Sequence, residues 1–230
     1  DTLKPHLIVL GGYRTKFMKN AEKFFSEFHS NVPIIITNHQ TAEMIKYANN
    51  SFLATKISFI NQIANICEEI PNANIDDVSK AIGLDPRIGN LFLNAGPGYG
   101  GSCLPKDVKA IINFSTKMGI NPTLLTAVEK TNKQQIDKIL RLAEQNIGKI
   151  NGKKITILGV AFKPETDDIR DSVSIGLVKR LLKLGAKITI HDPKALENAR
   201  KIFRDNAKYV KSIPAALKDC QCAIIMTQWK

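Results

Sequence analysis

From Lys154 onward the chain alternates short apolar runs with amphipathic stretches, and few architectures accept that order. Residues 154–161 (Lys-Ile-Thr-Ile-Leu-Gly-Val-Ala) read as a buried strand, 172–184 as a helix stopped at Gly185, and 187–191 as a second strand closed by Asp192-Pro193. Another helix, a short strand near Tyr209-Val210, a helix over 213–217 and a strand over 222–227 continue the series. Strands that alternate with helices in this way bury both their faces as a parallel sheet with helices on either side. The turn pair Asn151-Gly152 marks where this texture begins.

The preceding hundred or so residues carry a helical period instead. Thr37 and Gln40 fit a capping box, Thr-x-x-Gln. Ile45, Ala48, Phe52, Phe59, Ile63, Ile66 and Ile70 then recur at helical steps until Pro71, which predicts one long helix suited to the spine of a helical domain or to a dimer seam. A shorter helix is expected over 75–82, ended by Gly83. Residues 94–107, Asn-Ala-Gly-Pro-Gly-Tyr-Gly-Gly-Ser-Cys-Leu-Pro-Lys-Asp, break all periodicity. A helix then opens at Ser102 or Cys103, with Pro105 tolerable in its first turn, and runs to about Gly119. Asn121 as cap and Pro122 at the first position predict a further long helix to Asn146, stopped by Gly148. At the N-terminus, residues 6–11 read as a strand ending at Gly11-Gly12, and 33–36 as a second extended piece. A lone opening strand and a final strand with no helix after it lead to the expectation that both ends are cut and the chain is a fragment.

The net charge of +12, from 33 basic and 21 acidic residues, suits either an electrostatic funnel for a diphosphate or a merely solvated basic surface. No Lys/Arg block is present, and one Trp and four Tyr offer little to stack bases, so a nucleic-acid partner is not expected. No apolar run reaches the roughly eighteen residues of a membrane span. Residues 1–5 lack the basic-then-apolar pattern of a secretory signal. Cys67, Cys103, Cys220 and Cys222 form neither a disulfide framework nor a zinc spacing, and a cytoplasmic setting is expected.

Cys103 carries the sharpest chemistry. It follows a glycine-rich approach and opens a helix, where unpaired N–H groups and the dipole favour a thiolate. Lys106 adds positive charge, and Asp107 lies one turn along, placed to hold a water or take a proton. A structural cysteine beside a capping acid accounts for the same residues. The glycines are not a P-loop, since Gly-x-x-x-x-Gly-Lys-Ser/Thr is absent, but they allow close approach to a ligand; a tight structural loop is the competing account. Lys46 and Asn50 stand four apart on the long helix and share a face, as an oxyanion-holding pair or as a solvated surface. Residues 161–172 connect a strand to a helix, where doubly wound sheets bind ligands, and carry Lys163 and Arg170, which can pair with phosphate or carboxylate; a long polar loop of balanced charge is the competing account. No Gly-x-Gly-x-x-Gly follows that strand, so a dinucleotide is not expected there. Cys220 and Cys222 read as packing residues.

Four stretches together resemble the UDP-glucose/GDP-mannose dehydrogenase family, the nucleotide-sugar 6-dehydrogenases. They are Ala42-Glu-Met-Ile-Lys-Tyr-Ala-Asn-Asn-Ser-Phe-Leu-Ala54, Ala81-Ile-Gly-Leu-Asp-Pro-Arg-Ile-Gly-Asn90, Gly98-Tyr-Gly-Gly-Ser-Cys-Leu-Pro-Lys-Asp107 and Gly159-Val-Ala-Phe-Lys-Pro-Glu-Thr-Asp-Asp-Ile-Arg170. Their order and spacing also fit, and the resemblance covers nearly the whole chain.

The resemblance implies an α/β protein with an all-helical middle domain. Residues 1–37 would be a remnant of an N-terminal NAD-binding Rossmann domain with its linker, 38–148 a helical dimerisation domain carrying the nucleophile, and 149–230 a truncated Rossmann-like domain binding the UDP end. It implies a four-electron oxidation of a sugar alcohol to a carboxylate with NAD, through a thiohemiacetal and a thioester on Cys103. Lys46 and Asn50 match the family's oxyanion-stabilising residues, and Asp107 the carboxylate assisting the water steps. Arg87 matches a residue reaching substrate across a homodimer. Phe92, Leu93, Asn94, Ala95, Gly96, Gly100 and Lys163 match substrate contacts, and Lys106 and Arg170 cofactor contacts. Phe162-Lys163-Pro164 and His191-Asp-Pro-Lys194 look more like the UDP-glucose branch, whereas Leu104 also occurs in the GDP-mannose branch. The alternatives are GDP-mannose or UDP-N-acetylmannosamine as substrate, or a fragment that only binds nucleotide sugar as a dimer.

Overall fold

The structure, a computed structural model, describes residues 4–13 and 15–229, with Thr15 described by its backbone alone. Residues 1–3 and Lys230, which entered the reading of the two termini, lie outside the described residues. The chain divides into two compact units, Asp1–Phe52 and Leu53–Lys230.

In the first unit, β1 (Ile8–Gly11) and β2 (Ile34–Thr37) pair in parallel, with Ile8 opposite Ile34 and Gly11 opposite Thr37. Parallel neighbours need a crossover, and α1 (Thr15–Phe28) supplies it. That helix has no counterpart in the sequence reading. Gly11 is required where it stands: a Cβ there would lie 2.7 Å from the Ala42 Cβ. The long helix α2 (His39–Cys67) begins in this unit. Its cap is Asn38, whose Oδ1 accepts the Thr41 N–H at 2.8 Å, and not Thr37, which belongs to β2. The helix stops at Cys67, short of the expected Ile70.

Much of the apolar stripe along α2 faces outward. Phe52, Phe59 and Ile66 are 64%, 49% and 52% exposed. The buried residues are Ser51, Ala54, Ser58, Ile60, Asn61, Ala64 and Cys67, most of them small or polar. Among them, Ser58 Oγ donates to the Val128 carbonyl at 3.2 Å, and Asn61 Oδ1 accepts the Gly96 N–H at 2.7 Å.

The second unit continues α2 through α3 (Ile75–Gly83), α4 (Leu104–Lys117) and α5 (Thr123–Ile147). Asn74 caps α3 through the Asp76 N–H at 2.8 Å. Pro122, and not Asn121, occupies the cap position of α5. A small cluster of Ala54, Tyr99, Val108 and Val128 joins α2, the glycine-rich loop, α4 and α5.

An α/β domain follows: β3 (Lys154–Leu158), α6 (Val173–Lys183), β4 (Lys187–His191), α7 (Leu196–Phe203), β5 (Ala207–Tyr209), α8 (Ile213–Leu217) and β6 (Cys222–Ile225). The four strands lie in the order β5-β4-β3-β6, and every pair is parallel, as the alternation predicts. Ile155, Ile157, Leu177, Val178, Leu181 and Ile190 form its dry centre. Thr156, on the alternate face of β3, donates to the Ala216 carbonyl of α8 at 2.7 Å. β3 ends three residues earlier than the apolar run because Gly159 turns the chain at φ +91, and a Cβ there would sit 2.5 Å from Thr227. Cys222 packs at the edge of this core, and its thiol pKa is raised by burial and then by Cys220. Among the described residues no helix is long and apolar enough to cross a membrane, and no group of three potential metal ligands occurs.

Candidate functional site

The glycine-rich segment is irregular but not loose. Side chains from three helices hold its backbone. Ser79 of α3 donates to the Leu93 carbonyl at 2.6 Å, and Asn61 of α2 accepts the Gly96 N–H at 2.7 Å. Asn132 of α5 accepts the Tyr99 N–H at 2.8 Å and donates to the Tyr99 carbonyl at 2.9 Å. A backbone with no sheet or helix partners needs such donors and acceptors when it is buried.

The two glycines just before the cysteine are pressed against the α/β domain. A Cβ on Gly100 would lie 2.6 Å from the Asp171 carbonyl oxygen, and one on Gly101 (φ +86) 2.6 Å from the Phe162 ring. Ser102 follows, and Cys103 takes the N-cap position of α4. The thiol is exposed, with the Ser102 hydroxyl 3.8 Å from its sulfur. Asp107 donates its backbone N–H to the Cys103 carbonyl at 2.9 Å, which fixes it one turn along α4. Its side chain is fully buried, with the exposed Lys106 ammonium 3.1 Å from Oδ1. The expected trio Cys103, Lys106 and Asp107 is therefore a single first turn of helix with its charge pair in place.

The strand-to-helix connection 159–172 forms the facing wall. Asp192, 1% exposed at the end of β4, accepts the Val160 and Ala161 N–H groups through Oδ2 at 2.7 and 3.0 Å. Its Oδ1 accepts the Lys194 and Ala195 N–H groups at 2.9 and 2.7 Å. Thr227 donates to the Ala161 carbonyl at 2.6 Å. Lys163 extends from this turn, its Nζ 5.5 Å from the Phe162 ring centroid. Arg170 makes a bidentate pair with Asp168 through Nε at 3.0 Å and Nη2 at 2.7 Å. Those bonds raise the Arg170 pKa most, and the Asp168 charge adds to them.

The remaining expected residues fall as follows. Phe92 takes a left-handed backbone (φ 65), Leu93 is buried, and Asn94, Ala95 and Gly96 continue the loop pinned by Asn61. Arg87 is exposed and turned onto Asp85, its Nη2 2.6 Å from Oδ2. The pairing lowers the Asp85 pKa and raises that of Arg87. Lys46 and Asn50 belong to the first unit, four residues apart on α2, with the Lys46 ammonium 5.4 Å from the Tyr47 ring centroid. The anchors Asn61, Ser79, Asn132, Asp192 and Thr227 were not anticipated. The one signal available was polar residues, Asn61 and Asn132, inside strong helical patterns.

Two models of the UDP-glucose/GDP-mannose dehydrogenase family match the chain: its central domain over residues 40–134 and its UDP-binding domain over residues 156–230. The chain is 41% identical over its whole length to the UDP-glucose 6-dehydrogenase TuaD of Bacillus subtilis, covering 49% of that protein. It is 44% identical to the UDP-glucose 6-dehydrogenase of Rickettsia conorii, covering 53%. Among solved structures it is similar to a UDP-glucose dehydrogenase from Pyrobaculum islandicum, with a TM-score of 0.91 at 36% identity over 99% of this chain and 52% of that one. The chain spans about half the length of the curated relatives it matches.

Proposed function

Since the chain belongs to the UDP-glucose/GDP-mannose dehydrogenase family, we propose that it is the substrate-binding and nucleophile-bearing part of an enzyme oxidising UDP-glucose to UDP-glucuronate. The observation that carries this reading is Cys103: an exposed thiol at the N-cap of α4, on a loop pinned by Ser79, Asn61 and Asn132.

NAD, when bound, accepts hydride. The chain's fit to it is partial: Lys106 and Arg170 are exposed cations suited to a diphosphate, while no Gly-x-Gly-x-x-Gly follows β3 of the α/β domain. The division into a cofactor remnant (1–37), a helical domain (38–148) and a UDP-binding domain (149–230) is part of the proposal.

Loss of hydride and a proton from the C6 alcohol gives an aldehyde. The Cys103 thiolate adds to its carbonyl carbon, and the oxygen takes up a proton as a thiohemiacetal. Loss of a second hydride and a proton leaves a thioester. Water adds, the C–S bond breaks, and carboxylate and thiol result. Sulfur suits both halves, as a soft nucleophile and a good leaving group. Lys46 and Asn50 are proposed to steady the developing oxyanion, and Asp107 to hold or deprotonate water. Gly100, Lys163 and residues 92–96 are proposed to line the nucleotide sugar. Arg87 would turn from Asp85 to a partner's substrate in a homodimer formed along α2, for which the exposed row Phe52, Phe59 and Ile66 is the support. Four free cysteines suit a reducing, cytoplasmic setting.

The test is turnover by the full-length protein. Wild type should release two NADH per UDP-glucuronate, and Cys103→Ser should lose at least about a thousandfold in kcat. Retained turnover by Cys103→Ser defeats the reading, and preference for GDP-mannose or UDP-N-acetylmannosamine replaces its substrate.

A further inference from the structure

Phe162 stands between the two segments proposed to act on substrate, and its own backbone is unusually well held. The residue before it is fixed at both ends of its peptide: the Ala161 N–H by Asp192 at 3.0 Å and the Ala161 carbonyl by Thr227 at 2.6 Å. The Phe162 N–H is fixed in turn by the Asp168 carbonyl at 3.0 Å. Asp192 is itself saturated by four backbone N–H groups, so its carboxylate cannot shift without releasing two turns at once.

The ring projected from this rigid base fills the space above Gly101. A Cβ at that position would lie 2.6, 2.7 and 3.1 Å from the ring's Cδ2, Cε2 and Cγ. Gly101 is buried and left-handed, and Cys103 is two residues further on. The same ring lies 5.5 Å from the Lys163 ammonium. One side chain therefore touches both the loop that aims the thiol and the lysine expected at the nucleotide sugar.

We propose that Phe162 is a positioning residue for Cys103. Held by Asp192 and Thr227, it registers the cysteine loop against the α/β domain and so sets where the sulfur stands relative to the substrate carbon. The proposal rests on Cys103 being the nucleophile. Placement of a reacting atom is worth this much structure, because an error of about 1 Å can cost roughly a hundredfold in rate. Phe162 acts through packing, not by touching the reacting atoms.

The test uses full-length protein with Phe162→Leu, Phe162→Tyr and Asp192→Asn, each first checked for an unchanged circular dichroism spectrum. Two readouts are taken: kcat and KM for UDP-glucose, and the rate of Cys103 alkylation by iodoacetamide, followed by mass spectrometry of its peptide. Phe162→Leu and Asp192→Asn should each lower kcat by about ten- to a hundredfold with KM little changed. Both should slow Cys103 alkylation severalfold, and Phe162→Tyr, which keeps the ring, should restore both readouts. Unchanged kcat and alkylation in Phe162→Leu, or a rise in KM alone, overturns the proposal. Alkylation does not depend on turnover. If wild type fails to oxidise UDP-glucose, the functional reading falls, and the alkylation series still decides whether Phe162 positions the thiol.

Discussion

Asn132 grips Tyr99 by its backbone: Oδ1 accepts the Tyr99 N–H at 2.8 Å and Nδ2 donates to the Tyr99 carbonyl at 2.9 Å. The amide of one helix thereby stands in for a missing strand, four residues upstream of Cys103. Gly98 makes room for it, since a Cβ there would lie 2.5 Å from Asn132 Oδ1. Asn132→Ala leaves a backbone donor and acceptor unmatched beside a buried residue. The expected cost is about 2 kcal/mol in urea unfolding, with Asn132→Asp intermediate because it keeps only the accepting half.

Tyr99 itself predicts an alkaline signature. Burial, followed by the negative charge of Glu129, pushes its phenol pKa up to about 12. A pKa raised in the folded state means that the unfolded chain loses its proton first. Stability is therefore undiminished below the ordinary tyrosine pKa near 10, falls through the window up to about 12, and levels off above it. Ultraviolet titration should show one of the four tyrosines ionising last, and Tyr99→Phe should remove that step. The Tyr99 hydroxyl has no hydrogen-bond partner among the described residues, so the same variant should unfold at equal or higher urea concentration.

Asp168 behaves in the opposite sense. Hydrogen bonds from the Arg170 side chain hold its carboxyl below the usual carboxylate range. The ion pair is therefore present above the ordinary carboxylate pKa and is lost only as pH falls through the depressed one. A carboxyl-resolved NMR titration should find Asp168 among the last acids to protonate, and Arg170→Gln should return it towards the usual range. An Asp168 that titrates identically in both proteins would refute the pairing.

The parallel sheet was legible because its strands are short, apolar and separated by helical periods; β4 and α8 fall where the pattern put them. The first turn at Cys103 was legible for a similar local reason: Pro105 and the glycines before it leave one place for a helix to start. What escaped was non-local. Helix α1 lacked a cap or stop signal strong enough to read, and is explained by the parallel pairing of β1 with β2, a long-range contact. The inward face of α2 was not legible either, because Ser51, Ser58 and Asn61 are buried there by contacts the helical period does not show. Asp192 looked like a turn residue closing a strand; only the fold brings Val160 and Ala161 to its carboxylate.

The outward row on α2 yields a prediction about assembly. Phe52, Phe59 and Ile66 recur every seven residues, and all three are about half exposed or more. A seam of this kind is stabilised by apolar burial between two copies. Phe59→Asp with Ile66→Asp should convert a dimer to a monomer in sedimentation equilibrium while the circular dichroism spectrum is retained. A dimer that persists would place the interface elsewhere.

The most direct measurement is the covalent state of Cys103 during turnover. Full-length Asp107→Asn, incubated with UDP-glucose and NAD, quenched in acid and digested, should show the peptide containing Cys103 carrying the UDP-glucuronyl mass as a hydroxylamine-sensitive thioester. The Asp107→Asn, Cys103→Ser double variant should show none. An adduct on another residue, or UDP-glucuronate formed at an undiminished rate by Cys103→Ser, would contradict the account.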